Sequence, residues 1–355
     1  MFELIKKENY PVLKKFINQY KYKVSVNSIL DGNTKGKVFA DSQTNPTIAF
    51  IFNDNNLVSI FGQIKDIDKF NKDFKKAIDE FIVPVLRLKG EDMGLLISFF
   101  NEKYWEPLYD KVIEEKYLLK CSRWIGEFDE DHYSKFKSRF PKTLPEGYKL
   151  CKINKEILEA DENKALKDQV FESWENIDTY LKKGFGYCIL KNLKVVSSAY
   201  SGDVSDNLYY EIWIDTYDDN ERNKGYSTQC AIAYIDHCLE NKYIPHWATD
   251  YDNIASQKLA TKIGYPSSSN ENRFQFRLNR THNYFINIFY HFNNKEIDHD
   301  FITMALKKVF EEKDQKTFAK YVYRVAGKFS EKGLKDKEIF LLEEHLKMLK
   351  ANNKS

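Results

Sequence analysis

Two stretches carry residues whose types and spacing permit chemistry. The first is Glu211-Ile212-Trp213-Ile214-Asp215-Thr216 with the turn that follows it, Arg222-Asn223-Lys224-Gly225-Tyr226-Ser227. A strand empties into a polar loop, and a glycine opens an amphipathic helix running to about Asn241. Such a junction gathers unpaired backbone N–H groups and the positive end of a helix at one point, a seat for phosphate. Gly225 lets the backbone take a positive φ or lets a ligand approach without a Cβ in the way. Small Ser227 keeps the first helical turn open, while Arg222 and Lys224 add cationic charge suited to a diphosphate. Alone, this pattern is also that of an ordinary helix start.

It does not stand alone. A second strand, Ile244 to Thr249, leads to Asn253-Ile254-Ala255-Ser256-Gln257-Lys258-Leu259-Ala260-Thr261-Lys262-Ile263-Gly264-Tyr265. Asn253 is a good helix N-cap, and Gly264 sits where a helix-terminating glycine belongs.

Together, R-x-x-G-x-S after a strand and N-x-x-S-x-x-L-x-x-K-x-G-Y about 30 residues on resemble the GCN5-related N-acetyltransferase (GNAT) superfamily. Phe171-Glu172-Ser173-Trp174, Lys183-Gly184-Phe185-Gly186-Tyr187-Cys188 and Ile244-Pro245-His246-Trp247 are similar to a bacterial two-part branch, with a divergent N-terminal half before a catalytic C-terminal domain. The resemblance is clearest over 165–270. It implies an α/β fold with a mixed α+β sheet: a GNAT fold in the C-terminal half and a GNAT-like α+β domain before it. It also implies acetyl-CoA as cosubstrate and a primary amine of a small molecule as acceptor, joined by direct attack in a ternary complex. The strand at Ile212, Ile214 and Thr216 then splays from the strand at 244–249. The pantetheine arm lies between them as an added strand would. Amides around Arg222, Asn223, Lys224, Gly225, Tyr226 and Ser227 take the pyrophosphate, and Asn253 and Ser256 flank the pantetheine. A backbone N–H on the splayed strand meets the oxyanion.

Acid–base roles follow less directly. Glu211 stands at the spacing before Arg222 at which the histone-acetyltransferase branch carries its base, and Asp215 and His246 come next. The family's usual thiolate-protonating tyrosine is replaced by Ala260, so Tyr251, Tyr265 or water must serve. Side-chain alternation puts Tyr209, Glu211, Trp213 and Asp215 on one face of their strand, unless a bulge resets it.

The rest of the chain must position these residues. Its 355 residues suit two domains with material left over, and aromatics at 15% supply real cores. With 55 basic and 53 acidic residues there is no global field for nucleic acid. Cys121, Cys151, Cys188, Cys230 and Cys238 form no CxxC pair and read as thiols of a reducing compartment. With no signal-peptide pattern and no long apolar run, the expectation is a cytoplasmic protein without a membrane partner.

In chain order, a helix is expected from Tyr10 to Asn18, then strands at 37–40, 47–52 and 57–61, the last two joined across Asn53–Asn56. A helix follows from Asp68 to about Ile82, with Phe70, Phe74, Ala77, Ile78 and Phe81 on one face. A strand at 95–99, a helix from Glu102 to about Glu115 and a strand from Tyr117 to Phe128 complete the first domain. Gly32-Asn33-Thr34-Lys35-Gly36-Lys37-Val38 has the flavour of a phosphate loop but is one residue short of GxxxxGK and precedes a strand. It reads as a turn. Pro141 and Pro145 mark a linker. The second domain runs through strand 148–153, helical material over 154–183, strands 185–190, 194–201 and 208–216, and a last strand from Arg273 to Leu278. Everything from about 279 on is helical, ending in a charged helix from Lys337 to about Lys350. The division is 1–140, 141–280 and 281–355. Asp298-His299-Asp300 and the pair His282 and His291 lack a third ligand at a sensible spacing, so no metal is expected.

These residues point first to an acetyl-CoA-dependent N-acetyltransferase. A non-catalytic acyl-CoA-binding protein of the same fold, working through its helical tail as a contact for a protein partner or a dimer, is the alternative. Transfer of another acyl or an aminoacyl group is a third.

Overall fold

The computed structural model describes residues 1–17, 24–53, 56–90, 93–112, 119–141, 143–293 and 299–352. Asn18, the middle of the Asn53–Asn56 turn, the end of the helix expected from Glu102, the strand start at Tyr117, Lys142 of the linker and Asp298 lie outside them. The chain forms two compact units. One comprises Met1–Lys65, Ile97–Glu106 and Cys121–Arg273, the other Asp66–Leu96, Pro107–Lys120 and Phe274–Ser355.

Twelve strands among the described residues make one sheet. They are β1 (Glu3–Leu4), β2 (Gly36–Ala40), β3 (Ile48–Asn53), β4 (Leu57–Gly62), β5 (Gly94–Phe99), β6 (Leu119–Glu127), β7 (Tyr148–Lys152), β8 (Gly186–Lys191), β9 (Lys194–Val204), β10 (Tyr209–Thr216), β11 (Ile244–Asp250) and β12 (Ser267–Arg277). The order across the sheet is β1-β2-β3-β4-β5-β12-β6-β11-β10-β9-β8-β7. The mixed α/β architecture expected from the sequence is therefore what the chain adopts. β7 to β10 form an antiparallel meander, whereas β10 and β11 run parallel. A parallel neighbour demands a crossover, and helix Tyr226–Glu240 supplies it.

That helix explains why β10 and β11 are where they are. Tyr226, Cys230, Ala231, Tyr234, Ile235 and Cys238 recur at helical spacing and are all buried. Tyr234 stacks on Phe185 of the strand layer at 4.6 Å between centroids, and Tyr210 stacks on Tyr243 at 4.2 Å. Burial of each such side chain stabilises by about 1.5–3 kcal/mol, so this face fixes the crossover firmly.

Several local readings change. The helix from 67 carries a wide π turn over Ile78–Ile82, and the extra residue per turn moves the buried face from Phe81 to Ile82. The helical material over 154–183 is three pieces, Lys155–Glu159, Lys164–Ser173 and Ile177–Lys183. Asn154 and Asn176 cap the first and third through their side chains, so polar caps interrupt what periodicity alone joins. Helices Val24–Leu30 and Glu130–Arg139 were not expected; Asp129 caps the second by accepting from His132 N. The last strand begins at Ser267 rather than Arg273.

The second unit is mainly helical. Helices Arg280–Asn293, His299–Glu311, Gln315–Glu331 and Lys335–Asn352 enclose a core of Phe285, Ile288, Ile302, Val309, Phe318, Val325 and Leu341. Among the described residues no helix is long and apolar enough to cross a membrane.

Candidate active site

The candidate site begins where two strands part. β10 and β11 face each other at Tyr209↔Ile244, Tyr210↔Pro245 and Glu211↔His246, and nowhere beyond. β10 nevertheless continues against β9 to Thr216↔Ser197, and β11 continues against β6 to Asp250↔Arg123. The facing edges of Ile212–Thr216 and Trp247–Asp250 are thus left without a strand partner, and a cleft opens between them. One part, of about 370 Å³, is lined by Arg123, Gln169, Tyr200, Trp213, Asp215 and Trp247, with Ile212, Ile214, Asn253 and Ser256. The other, of about 550 Å³, shares Ile214, Asp215, Trp247, Asn253 and Ser256 and extends to Thr216, Arg222, Asn223 and Gly225–Thr228.

At that far end, Gly225 is the N-cap of helix Tyr226–Glu240 in the left-handed conformation (φ +82°) and supplies no side-chain cap. The first-turn amides of Tyr226, Ser227 and Thr228 have no intrahelical partner. Their residues line the cleft, which leaves an anion seat with the helix dipole behind it. Asn223 is also left-handed (φ +61°). Three hydroxyls gather beneath the turn: Thr216 Oγ1 lies 2.7 Å from Ser227 Oγ, and Ser197 Oγ lies 3.1 and 3.2 Å from the two. Glu221 organises the loop. Its buried carboxylate accepts from Lys191 Nζ at 2.8 Å, Lys224 Nζ at 2.9 Å and the Tyr148 hydroxyl at 2.9 Å. Lys191 first, then Lys224, hold it well below the usual carboxylate range, at about 2. Lys224 is therefore a member of the clamp, and Arg222 pairs with exposed Asp219 at 3.1 Å.

The middle of the cleft is braced from both sides. Gln169, on helix Lys164–Ser173, donates to Asp215 Oδ2 at 2.6 Å and accepts from the Tyr217 hydroxyl at 2.8 Å. Opposite, Trp247 Nε1 donates to Ser256 Oγ at 3.1 Å, and Asn253 caps helix Ile254–Ile263 by accepting from Ser256 N.

At the vertex lies a buried charged cluster. Glu211 pairs with the Arg123 guanidinium, and His246 Nδ1 stands 3.7 Å from its other oxygen. Burial alone would raise the Glu211 carboxyl, but Arg123 and then His246 outweigh it and hold it down at about 2. Directly across the sheet, Glu211 faces Asp203 of β9. Burial first, and then the Glu211 charge, push Asp203 up to about 7. The pairing skips Gly202, so the bulge sits on β9 and the alternation of β10 survives. A Cβ at Gly202 would collide with the Trp213 indole at Nε1.

Ile212, Ile214, Thr216, Arg222, Asn223, Gly225, Tyr226, Ser227, Asn253 and Ser256 therefore meet around one cleft. Tyr251 and Tyr265 do not. Tyr251 is exposed, whereas Tyr265 is fully buried and donates to Pro245 O at 3.2 Å. Ala260 is fully buried as well. Sequence reasoning missed Arg123, Asp203, Gln169, Tyr200, Ser197 and Glu221, of which only Glu221, in the polar loop between Thr216 and Arg222, carried a local signal. Burial pushes the Cys188, Cys230 and Cys238 thiols up, which makes them poor nucleophiles. Among the described residues no group of three or more His, Cys, Asp or Glu is placed to hold a metal.

A parallel strand pair thus parts above a glycine-opened helix. Comparison with known proteins places the chain: the family model for GNAT acetyltransferases matches residues 14–274. The chain belongs to the GNAT acetyltransferase family. It is 27% identical over 267 residues to "Uncharacterized N-acetyltransferase YdfB" of Bacillus subtilis (strain 168), covering 74% of this chain and 94% of that protein. A GCN5-related N-acetyltransferase-like protein from Streptococcus suis 89/1591 shares the fold with a TM-score of 0.54 at 22% identity, over 76% of this chain and 98% of that one.

Proposed function

We propose that the protein is an acetyl-CoA-dependent N-acetyltransferase that acetylates the primary amine of a small molecule by direct attack in a ternary complex. The parting of β10 and β11 after Glu211↔His246 carries this reading. The open strand edges suit the amides of a pantetheine arm. The first-turn amides of Tyr226–Thr228 and the hydroxyls of Thr216 and Ser227 suit its pyrophosphate. The donor thioester then lies toward Ile212, Trp213 and Arg123. In this reading 141–280 carries the donor site, 1–140 contributes to the acceptor side and 281–355 is a helical extension. The ammonium loses one proton to the Glu211 region, and the neutral amine attacks the thioester carbonyl; the C–S bond breaks with its electron pair on the coenzyme A sulfur, and the second N–H proton passes to that thiolate through water as the amide forms.

The alternative, an acyl-CoA-binding protein that does not turn over, is favoured by one observation: neither Tyr251 nor Tyr265 lines the cleft. A screen of primary amines for release of free coenzyme A separates the two. Turnover with any amine supports the transferase. Acetyl-CoA binding without release across the screen supports the binding protein.

A further inference from the structure

The vertex holds two buried carboxylates against the one guanidinium that Glu211 grips. Asp203 and Glu211 are direct cross-strand neighbours, so their side chains leave the same face with Cβ atoms about 5 Å apart. Both are buried. Glu211 has Arg123 and His246. Asp203 has only the Thr34 hydroxyl, at 3.0 Å among the described contacts.

The surroundings of Asp203 accept either protonation state. Thr34 Oγ1 lies 2.8 Å from Ser28 Oγ, and Ser28 Oγ accepts from Val204 N. With Asp203 ionised, Ser28 donates to Thr34 and Thr34 to the carboxylate. With Asp203 protonated, the chain reverses, and Asp203 donates to Thr34 and Thr34 to Ser28. A hydroxyl carries one proton and accepts others, so the Thr34 hydroxyl can serve the Asp203 carboxyl in either state. The loop Asp31–Lys35 is built to hold this chain. Asn33 Nδ2 donates to Val204 O, Lys35 N to Ser173 O, and Asp206 N to Asp31 Oδ2.

We propose that Asp203 is a positioning residue of the proton-accepting unit, sharing with Glu211 the one proton that leaves the acceptor ammonium. This rests on the acetyltransferase reading above. An N–H bond of the ammonium breaks, through a water in the cleft beside Arg123, and an O–H bond forms on the carboxylate pair. The neutral amine keeps the electron pair with which it attacks. The pair returns its proton to solvent after the product leaves. Glu211 by itself is a weak base, because Arg123 stabilises its charge. A second, adjacent carboxylate without a cation of its own raises the proton affinity of the pair as a whole. The groups that set it are Glu211 from β10, Arg123 from β6, His246 from β11, and Arg273 with Glu271 from β12. Asp31, one loop away, is paired with Lys14.

The test is a pH titration of side-chain carboxyl carbons by NMR, on the full-length chain in wild type, D203N and E211Q. The expected wild-type result is one buried carboxyl titrating near pH 7, missing from D203N and moved downward in E211Q, where the neighbouring charge is gone. E211Q reads Asp203 directly, so the proposal does not hang on the folding of D203N. An Asp203 that titrates in the ordinary carboxylate range in wild type overturns it. With the amine from the screen, the acid limb of kcat/KM should fall near pH 7 in wild type. In D203N it should shift to lower pH, with at least a tenfold loss at pH 7 and acetyl-CoA affinity retained. A D203N profile parallel to wild type at every pH makes Asp203 merely structural and overturns the proposal. Wild type that binds no acetyl-CoA instead sinks the transferase reading, and the NMR titration alone then decides the pair.

Discussion

Glu211 and His246 are the last residues at which β10 and β11 face each other. The charged contacts at that point also tie in β6, through Arg123. The vertex of the cleft is thus held by buried charge, where a packed apolar contact would be the commoner device.

Replacing Glu211 by Gln removes the charge that Arg123 faces in a buried site. Breaking one partner of a buried ion pair costs about 3–5 kcal/mol, and urea unfolding at pH 7 should read a loss of that order. Arg123→Met should cost a similar amount, and the double variant less than the sum. Additive losses would mean that the two side chains do not depend on each other.

Asp203 and Glu211 shift in opposite directions, so their contributions to stability slope oppositely with pH. The Asp203 value is raised from 3.8 to about 7. Its stabilising contribution is complete below 3.8 and is lost as pH rises toward 7. Glu211 is lowered from 4.5 to about 2. Its contribution is present above 4.5 and is lost as pH falls toward 2. D203N should therefore flatten the decline in stability between pH 4 and 7 while leaving the loss below pH 4. Unfolding curves measured across that range check both signs.

Gly202 is required by a side chain rather than by its own backbone. Gly202→Ala drives a Cβ into Trp213, which lines the cleft. Overpacking of this kind costs about 1–3 kcal/mol, and displacement of Trp213 should weaken acetyl-CoA binding as well. Thermal denaturation with and without acetyl-CoA reads the two effects separately. A variant with wild-type melting temperature and affinity would show that Trp213 has room to move.

Glu221 clamps the loop before helix Tyr226–Glu240 through Lys191 and Lys224. Its value is depressed from 4.5 to about 2, so the clamp contributes stability above 4.5 and releases as pH falls through that window. Glu221→Gln should abolish that part of the acid sensitivity and leave Lys191 and Lys224 both uncompensated. The first effect is checked by unfolding between pH 2 and 5. The second appears as looser, more protease-sensitive backbone around Asp218–Gly225.

The strand–glycine–helix unit at 211–240 and the capped helix at 254–263 were legible in the sequence. Caps, a glycine at a required left-handed position and helical periodicity are local signals. Arg123, Asp203 and Thr34 were not legible: Arg123 reaches Glu211 through the placement of β6 beside β11, Asp203 through the bulged β9–β10 pairing beyond the strand end expected at 201, and Thr34 meets Asp203 through the placement of the Asp31–Lys35 loop against β9. Nothing in a linear reading pairs position 123 with 211. The loop with the flavour of a phosphate site is a turn in the structure, and its hydroxyl and amide serve β9. Tyr265 was misplaced because its motif position says nothing of which way the ring points, and the ring is buried against Trp247 and Phe128.

Calorimetric titration of acetyl-CoA into wild type and Ser227→Glu asks whether the cleft seats the donor at the start of helix Tyr226–Glu240. The variant sets a carboxylate beside Thr216 Oγ1 and the open amides of the first helical turn, where the reading seats a pyrophosphate. Binding of micromolar order is expected in wild type and at least a tenfold loss in the variant, with the fold intact by circular dichroism. Absence of heat from wild type at high micromolar ligand, or equal affinity in the two proteins, would contradict it.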